Sequence, residues 1–368
     1  MTDLTLLHPG GPLALASHAA AAGCSAHITY AEAGVVGLVQ GVTELFPVSS
    51  LGHNVLIPGV LGGCWAQNLN VAASESPYLA FIVGLHVATA IALLVYFWRD
   101  WIRIIGGFFT SIGHMIRPEP GVDRFEMRTV EEKMAWMIIL ATIPVGIVGV
   151  AFEHEFRVLF GKPIRAAIFL AINGVILLAA ERFRTKASLQ ADRDIAEDRE
   201  NGRAMAAVGA QRRTGGARHA AGHQAVRSAE IAQGIEADRR LARQSYGQAV
   251  IIGTAQILAL LAGISRDGVC MVAGMFRGLS REDSARFAFL LATPVILAAG
   301  VLKIPDLLGS LGNGIRGQAI FGSVLSGVGA YLSVRFLMRY FQTRTLTPFG
   351  IYCLVAGLGS MIYLGLIQ

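Results

Sequence analysis

Long apolar runs separated by short polar stretches dominate this chain. Runs over about 79–98, 135–152, 164–181, 284–303, 319–338 and 349–367 each approach the roughly 20 apolar residues that a helix needs to cross a bilayer, and each is predicted as a transmembrane helix. Two further apolar segments, 32–62 and 247–278, are interrupted near a serine, in Pro47-Val48-Ser49-Ser50 and Gly263-Ile264-Ser265-Arg266. Each half is too short to span, which predicts re-entrant hairpins. Backbone that leaves the helix at that depth is tolerated only when buried in protein or lining a wet cavity. Residues 183–246 break the pattern: they are rich in Ala, Gly, Arg and Gln and hold too few large apolar side chains to bury a core.

The two interrupted segments are copies of one another. Aligned without a gap, Gly37 falls on Gly253, Gln40 on Gln256, Leu45 on Leu261, Ser49 on Ser265, Gly52 on Gly268 and Gly62 on Gly278. The polar residues at their centres differ: Glu44, Ser50 and His53 in the first copy, Arg266 and Asp267 in the second. Paired Gly-interrupted segments in the two halves of a membrane protein point to a midplane site built from both.

Charge adds orientation. Only 15% of residues are charged against 54% hydrophobic, which excludes an ordinary soluble domain. No Lys or Arg precedes Arg99. Basic residues then cluster over 99–133, 182–243, 277–286 and 335–344, and such clusters mark cytoplasmic loops. The basic-poor loops near 63–78, 153–163 and 304–318 are then outward. On this alternation the first hairpin enters from outside and the second from the cytoplasm, so the two halves are inverted. The net charge of +6 is a topogenic signal, concentrated in one loop, and does not indicate a nucleic-acid partner.

The expected fold is therefore all-α and polytopic, with two inverted-topology repeats, each a re-entrant hairpin plus about three transmembrane helices. Residues 1–30 form an outward N-terminal extension without the basic n-region of a signal peptide. Repeat 1 covers 31–182, a largely flexible cytoplasmic insert 183–246, and repeat 2 247–368. That insert reads as a solvated linker, with an anionic-lipid or partner surface as the other reading. Cys24, Cys64, Cys270 and Cys353 lack metal-ligand spacing. Cys24 and Cys64 share the outward side, where a disulfide is open to them, but the expected state is unpaired.

The candidate chemistry lies at the hairpin breaks. Gln40 and Glu44 are four apart and share a helix face. A carboxylate at membrane depth is a functional-site hypothesis by default. Pro47 ends that half-helix, which leaves Ser49 and Ser50 in the break, where free N–H groups and the next helix N-terminus favour an anion. His53 follows within one turn. In the second copy Arg266 needs an anionic partner, either Glu44 across the repeat or a phosphate held bidentately. Gly263 and Gly268 allow the sharp turn.

The run G-L-V-Q-G-V-T-E-L-F-P-V-S-S-L-G-H resembles the first signature of the bacitracin-resistance family of undecaprenyl-diphosphatases. A-G-I-S-R-D-G resembles that family's P-G-x-S-R-S-G, and Phe287 to Pro294 its following helix. The resemblance implies a phosphatase in the bacterial inner membrane, accessible from the outward face, that converts undecaprenyl diphosphate to the monophosphate and so recycles the carrier for cell-wall synthesis. It further implies Glu44, Ser50, His53 and Arg266 as catalytic residues, with Gln40, Ser49 and Ser265 in support; Asp267 and Gly268, which follow Arg266, are added as substrate-binding candidates. A divalent cation, Mg or Ca, is expected on Glu44. Partners are the polyprenyl-diphosphate lipid and membrane lipids, and a homodimer is compatible with the sequence. Either Ser50 attacks phosphorus, with Glu44 or His53 taking its proton, or a metal-activated water attacks. Three departures stand out: Ala262 for the family's proline, Asp267 for its second serine, and Cys270 for a hydroxyl. They keep a transporter or flippase of polyprenyl phosphate in view as the rival, with a non-catalytic scaffold behind it.

Overall fold

The computed structural model describes residues 24, 27–70, 77–117, 123–160, 162–211, 232–309 and 312–367. Among these residues the chain is helical throughout, with no strand. The helices are α1 (Tyr30–Thr43), α2 (Ser50–Leu61), α3 (Gly63–Asn68), α4 (Pro77–Tyr96), α5 (Trp98–Ile116), α6 (Val130–Phe160), α7 (Pro163–Arg182), α8 (Lys186–Gln211) and α9 (232–242). Then follow α10 (Tyr246–Thr254), a 3₁₀ turn at Ala255–Leu260, α11 (Arg266–Phe276), α12 (Arg281–Leu308), α13 (Arg316–Tyr340) and α14 (Thr347–Ile367). Six helices, α4, α6, α7, α12, α13 and α14, are long and apolar enough to cross a membrane, and each overlaps a span predicted from the sequence.

The duplicated segments fold alike from their first residue. Thr29 and Glu32 form a reciprocal N-terminal cap on α1, and Ser245 and Gln248 form the same cap on α10. Each first half-helix then seats on a long helix of the other half of the chain, α1 on α13 and α10 on α6. The same glycine permits both contacts. A Cβ at Gly37 would lie 2.5 Å from the Gly322 carbonyl oxygen, and one at Gly253 would lie 2.0 Å from that of Ala141. The remaining long helices pair across the halves, α4 with α12 and α7 with α14.

Two features depart from the expectations above. Cys24 and Cys64 form a disulfide, not a pair of free thiols: the segment before α1 is brought beside the start of α3, with the two Cα atoms 5.3 Å apart. Sequence could place them on one side of the membrane but not at bonding distance. Residues 98–116, within the basic stretch assigned to a loop, form α5. Its Ile104, Gly107 and Ser111 are buried against α6, while Ile102, Ile105 and Phe109 point outward.

The described parts of the charged insert are helical, and several of their charges pair with the membrane part while others, such as Arg193, Glu197 and Asp198, are exposed. Arg281, at the start of α12, donates to both Glu181 oxygens at 2.8 and 2.9 Å and to Asp192 of α8 at 2.6 Å. Arg240 of α9 forks onto Asp283 with two 2.8 Å bonds. Asp238 of α9 accepts from Arg103 of α5 and Arg286 of α12. Residues 212–231, like most of the predicted 1–30 extension, lie outside the described residues.

The close backbone approach of α1 and α10 yields a direct test. Gly37→Ala and Gly253→Ala should each cost about 1–3 kcal/mol through overpacking, read as a lower unfolding midpoint in detergent. Gly106→Ala, where a Cβ meets open space, should leave the midpoint unchanged or slightly higher. Equal midpoints for all three would refute the packing account.

Candidate active site

Both half-helices end where their backbone loses the helical ladder, and the two breaks meet. Ser49 adopts φ 69°, the lone non-glycine with positive φ among the described residues. Such a conformation is strained and persists only where the surroundings over-determine it. They do so here: the Ser49 hydroxyl accepts from Gly52 N, capping α2, and from Gly263 N of the opposite break, both at 3.2 Å. Ser265 caps α11 in the same way, accepting from Gly268 N at 3.1 Å. A Cβ on Gly52 would stand 2.8 Å from the Gly263 Cα, so the two backbones touch. Gly263, at φ 115°, itself lies against the Ala166 carbonyl of α7.

One side chain outside the duplication locks the breaks together. Asn173 of α7 donates to the Pro47 carbonyl and accepts from Ser265 N, both at 3.0 Å. It thereby satisfies one freed backbone group from each copy, as burial demands.

Glu44 is the centre of the site. Its side chain is 4% exposed. One oxygen accepts from Arg266 at 2.7 Å. The other accepts from Gln40 at 2.7 Å and from the Ser50 hydroxyl, and lies 3.3 Å from His86 Nε2. Ser50 and Arg266 are the first residues of α2 and α11 and correspond in the duplication, so two equivalent positions converge on one carboxylate. Asn54 extends the network by donating to Gln40 at 2.7 Å.

The other predicted residues divide into near and remote. Asp267 is buried beside Arg266, with 3.4 Å from Nε to Oδ1, and its Oδ2 has no hydrogen-bond partner. His53 is turned away from Glu44: Nδ1 lies 2.7 Å from the Ser49 carbonyl and Nε2 2.7 Å from the Tyr352 hydroxyl. The Cys270 thiol donates to the Ile252 carbonyl of α10 and takes no part in the polar cluster.

Sequence reasoning missed His86, Asn173 and Tyr352. His86 carried a usable signal, since it is the one His or charged residue in the apolar run of α4. Asn173 is likewise the lone side-chain amide of α7. Tyr352 offered none, because tyrosine is common at membrane boundaries.

No group of three or more His, Cys, Asp or Glu converges in metal-binding fashion among the described residues. Glu44, Asp267 and the Ser50 hydroxyl supply hard oxygen donors, and one Asp267 oxygen is uncommitted. That set suits a cation of the Mg or Ca kind if the ligand's own oxygens complete the shell, which is how Mg is commonly bound.

Residues 33–359 match the family described as bacitracin resistance protein BacA. The undecaprenyl-diphosphatase of Mycolicibacterium paratuberculosis is 54% identical over 93% of this chain and 99% of its own length. Undecaprenyl-diphosphatase 2 of Frankia alni is 51% identical over 90% and 96%, and that of Chromobacterium violaceum 36% identical over 90% and 98%.

The role of Asn173 can be measured apart from any chemistry. Asn173→Leu strands the Ser265 N–H, at about 1–3 kcal/mol, and leaves the Pro47 carbonyl only the long Cys353 thiol contact. The unfolding midpoint should fall further than for Asn68→Leu, whose amide bonds only the Glu32 side chain. Matching midpoints would show that Asn173 does not tie the breaks.

Proposed function

This chain belongs to the bacitracin resistance protein BacA family, and on that premise we propose that it is a membrane phosphatase that hydrolyses undecaprenyl diphosphate to undecaprenyl phosphate and inorganic phosphate. The observation that carries this reading is the convergence of Ser50 and Arg266 on Glu44. A hydroxyl hydrogen-bonded to a carboxylate is a nucleophile with its base in place. A guanidinium beside it is a fork for phosphate oxygens.

In the proposed reaction the terminal phosphate displaces Glu44 from part of the Arg266 fork. Ser50 Oγ attacks the terminal phosphorus while Glu44 takes its proton. The bond from that phosphorus to the bridging oxygen breaks, and undecaprenyl phosphate leaves. Glu44 releases that proton to the departing undecaprenyl phosphate. Water then attacks the phosphoserine, Glu44 takes the proton from water and returns it to Ser50 Oγ as the Oγ–P bond breaks, and inorganic phosphate departs. Such transfer depends chiefly on positioning and charge neutralisation. The free N–H groups at the starts of α2 and α11 supply part of that neutralisation. Glu44 takes the base role in place of His53, because Glu44 bonds Ser50 and His53 bonds Tyr352. His53 holds the break through the Ser49 carbonyl. His86, 3.3 Å from the same Glu44 oxygen that accepts from Ser50, orients the carboxylate. A bound Mg or Ca ion, held by Glu44 and Asp267, would add positive charge against the diphosphate.

The reading includes inverted repeats and an outward-opening site in the inner membrane. The crossed seating of α1 on α13 and α10 on α6 supports the inversion. The Cys24–Cys64 disulfide supports an outward location for the start of the chain, since disulfides persist in oxidising compartments.

Phosphate release from polyprenyl diphosphate in detergent tests the assignment. Glu44→Gln should lower kcat by roughly 10²–10⁴-fold, and Arg266→Ala by about 10²–10³-fold. Ser50→Ala should abolish turnover, and a phosphorylated Ser50 should be trapped from wild type after acid quench. Ser50→Ala retaining a tenth or more of the wild-type rate would transfer the attack to water. Chelation should remove activity and added Mg or Ca restore it. An undiminished rate in Glu44→Gln would end the proposal.

A further inference from the structure

A groove on the outer surface between α4 and α13 is apolar along its middle and carries arginines at both ends: Arg316, held by the Leu308 carbonyl and the Asn313 side chain, at one, and Arg99, Arg335 and Arg339 at the other. Its apolar part encloses about 560 Å³ and is lined by Ala88 and Ile91 of α4 and by Ile320, Val324, Gly327 and Val328 of α13. One helical turn further along both helices, a second cavity of about 440 Å³ opens, lined by Arg99, Arg335 and Arg339 among others. Tyr96 and Tyr331 meet edge to face at the junction, 6.2 Å between centroids. Aromatic residues of this kind favour the boundary between hydrocarbon and headgroups.

The charges at the Arg99 end are unbalanced. Arg103 and Arg286 also line it, but both are spent on Asp100 and Asp238. Arg99, Arg335 and Arg339 pair with no carboxylate among the described residues. Arg99 lies over the Trp98 ring at 5.0 Å, and Arg335 and Arg339 are exposed, so the guanidinium groups of the last two are open to an anion.

Helix α5 fixes the level of this pocket independently. Trp98, Ile102, Ile105 and Phe109 fall on one stripe at helical spacing and are 48–66% exposed. An amphipathic helix with such a stripe lies in the interface, its apolar face at the acyl boundary. Trp98, Arg99 and Arg103 of the same helix line the basic pocket, which places the pocket at headgroup depth. From Ile320 to Arg335 the groove runs roughly 22 Å at 1.5 Å per residue, enough for the tails of a lipid whose phosphate lies at the arginines.

We propose that the α4–α13 groove binds an anionic glycerophospholipid, with its tails along Ile320, Val324 and Val328 and its phosphate between Arg99, Arg335 and Arg339. Arginines near a membrane surface attract anionic headgroups, and the apolar groove selects a lipid over a free anion. This site is separate from the Glu44 cluster and stands whether or not the phosphatase reading holds.

Native mass spectrometry of the full chain, titrated with dioleoyl phosphatidylglycerol or dioleoyl phosphatidylcholine, tests it. The wild type should retain the anionic lipid preferentially. The double variant Arg335→Gln/Arg339→Gln should lose roughly ten- to thirtyfold of that preference while still releasing phosphate from polyprenyl diphosphate at the wild-type rate. Gly327→Leu, whose Cβ meets nothing closer than the Ala88 carbonyl at 3.5 Å, fills the apolar groove and should weaken lipid retention without altering retention of inorganic phosphate. Should the double variant fail to fold, Arg335→Gln alone and Gly327→Leu carry the test. Equal retention of the two lipids by wild type, an unchanged preference in the variants, or displacement of the anionic lipid by equimolar inorganic phosphate would each overturn the assignment.

Discussion

Glu44 and Arg266 are each too costly to bury alone in an apolar bundle, and each finds its main counter-charge in the other. Because one belongs to the first copy of the duplicated segment and the other to the second, that pairing holds the two breaks at a single point. The rest of the interior is arranged around the contact. Gly52 and Gly263 remove the side chains that would hold the backbones apart. Ser49, Ser265 and Asn173 absorb the N–H and C=O groups that the interrupted helices release. An unmet group at this depth would cost several kcal/mol with no water to relieve it.

Duplication and divergence operate on different residues here. The positions that build the scaffold are shared: the N-terminal caps at Thr29 and Ser245, the close-approach glycines 37 and 253, and the second caps at Ser49 and Ser265. The positions facing the site are not. Where one copy has Ser50 the other has Arg266, and Glu44 answers to Leu260. Gln256, the counterpart of Gln40, turns its amide to the Gly253 carbonyl of the preceding helix α10, since Leu260 stands where the other copy has Glu44. A single fold unit used twice thus supplies a carboxylate and a hydroxyl from one side and a guanidinium from the other.

What sequence made legible follows from this. A repeated motif advertises every residue it contains, so Gln40, Glu44, Ser50 and Arg266 could be named before their geometry was known. The long spans were legible for a simpler reason: a bilayer-length apolar run such as 164–181 admits little but the helix at Pro163–Arg182. His86, Asn173 and Tyr352 lie outside the repeat, each a single polar group on an apolar helix, and only folding shows where it points. Helix α5 was hidden because its Arg99, Asp100 and Arg103 read as loop charge, although Trp101, Ile104, Ile105 and Phe108 recur at helical spacing. The Cys24–Cys64 bond depends on two segments meeting in space, which spacing along the chain does not encode.

Charge at the site frames the chemistry and the meaning of Asp267. Glu44 and Asp267 are two carboxylates against the one guanidinium of Arg266, so a diphosphate enters a site already short of positive charge. The family-typical serine at position 267 would leave Glu44 and Arg266 balanced, and the aspartate shifts the demand elsewhere. Three sources can meet it: the N-termini of α2 and α11, His86 if protonated beside Glu44, and a divalent cation. The Asp267 oxygen without a partner is repulsive to an incoming phosphate if it is anionic, unless a cation or a proton on that oxygen stands between them. Asp267 therefore stands as a second buried acid beside the same guanidinium, with one oxygen that has no hydrogen-bond partner.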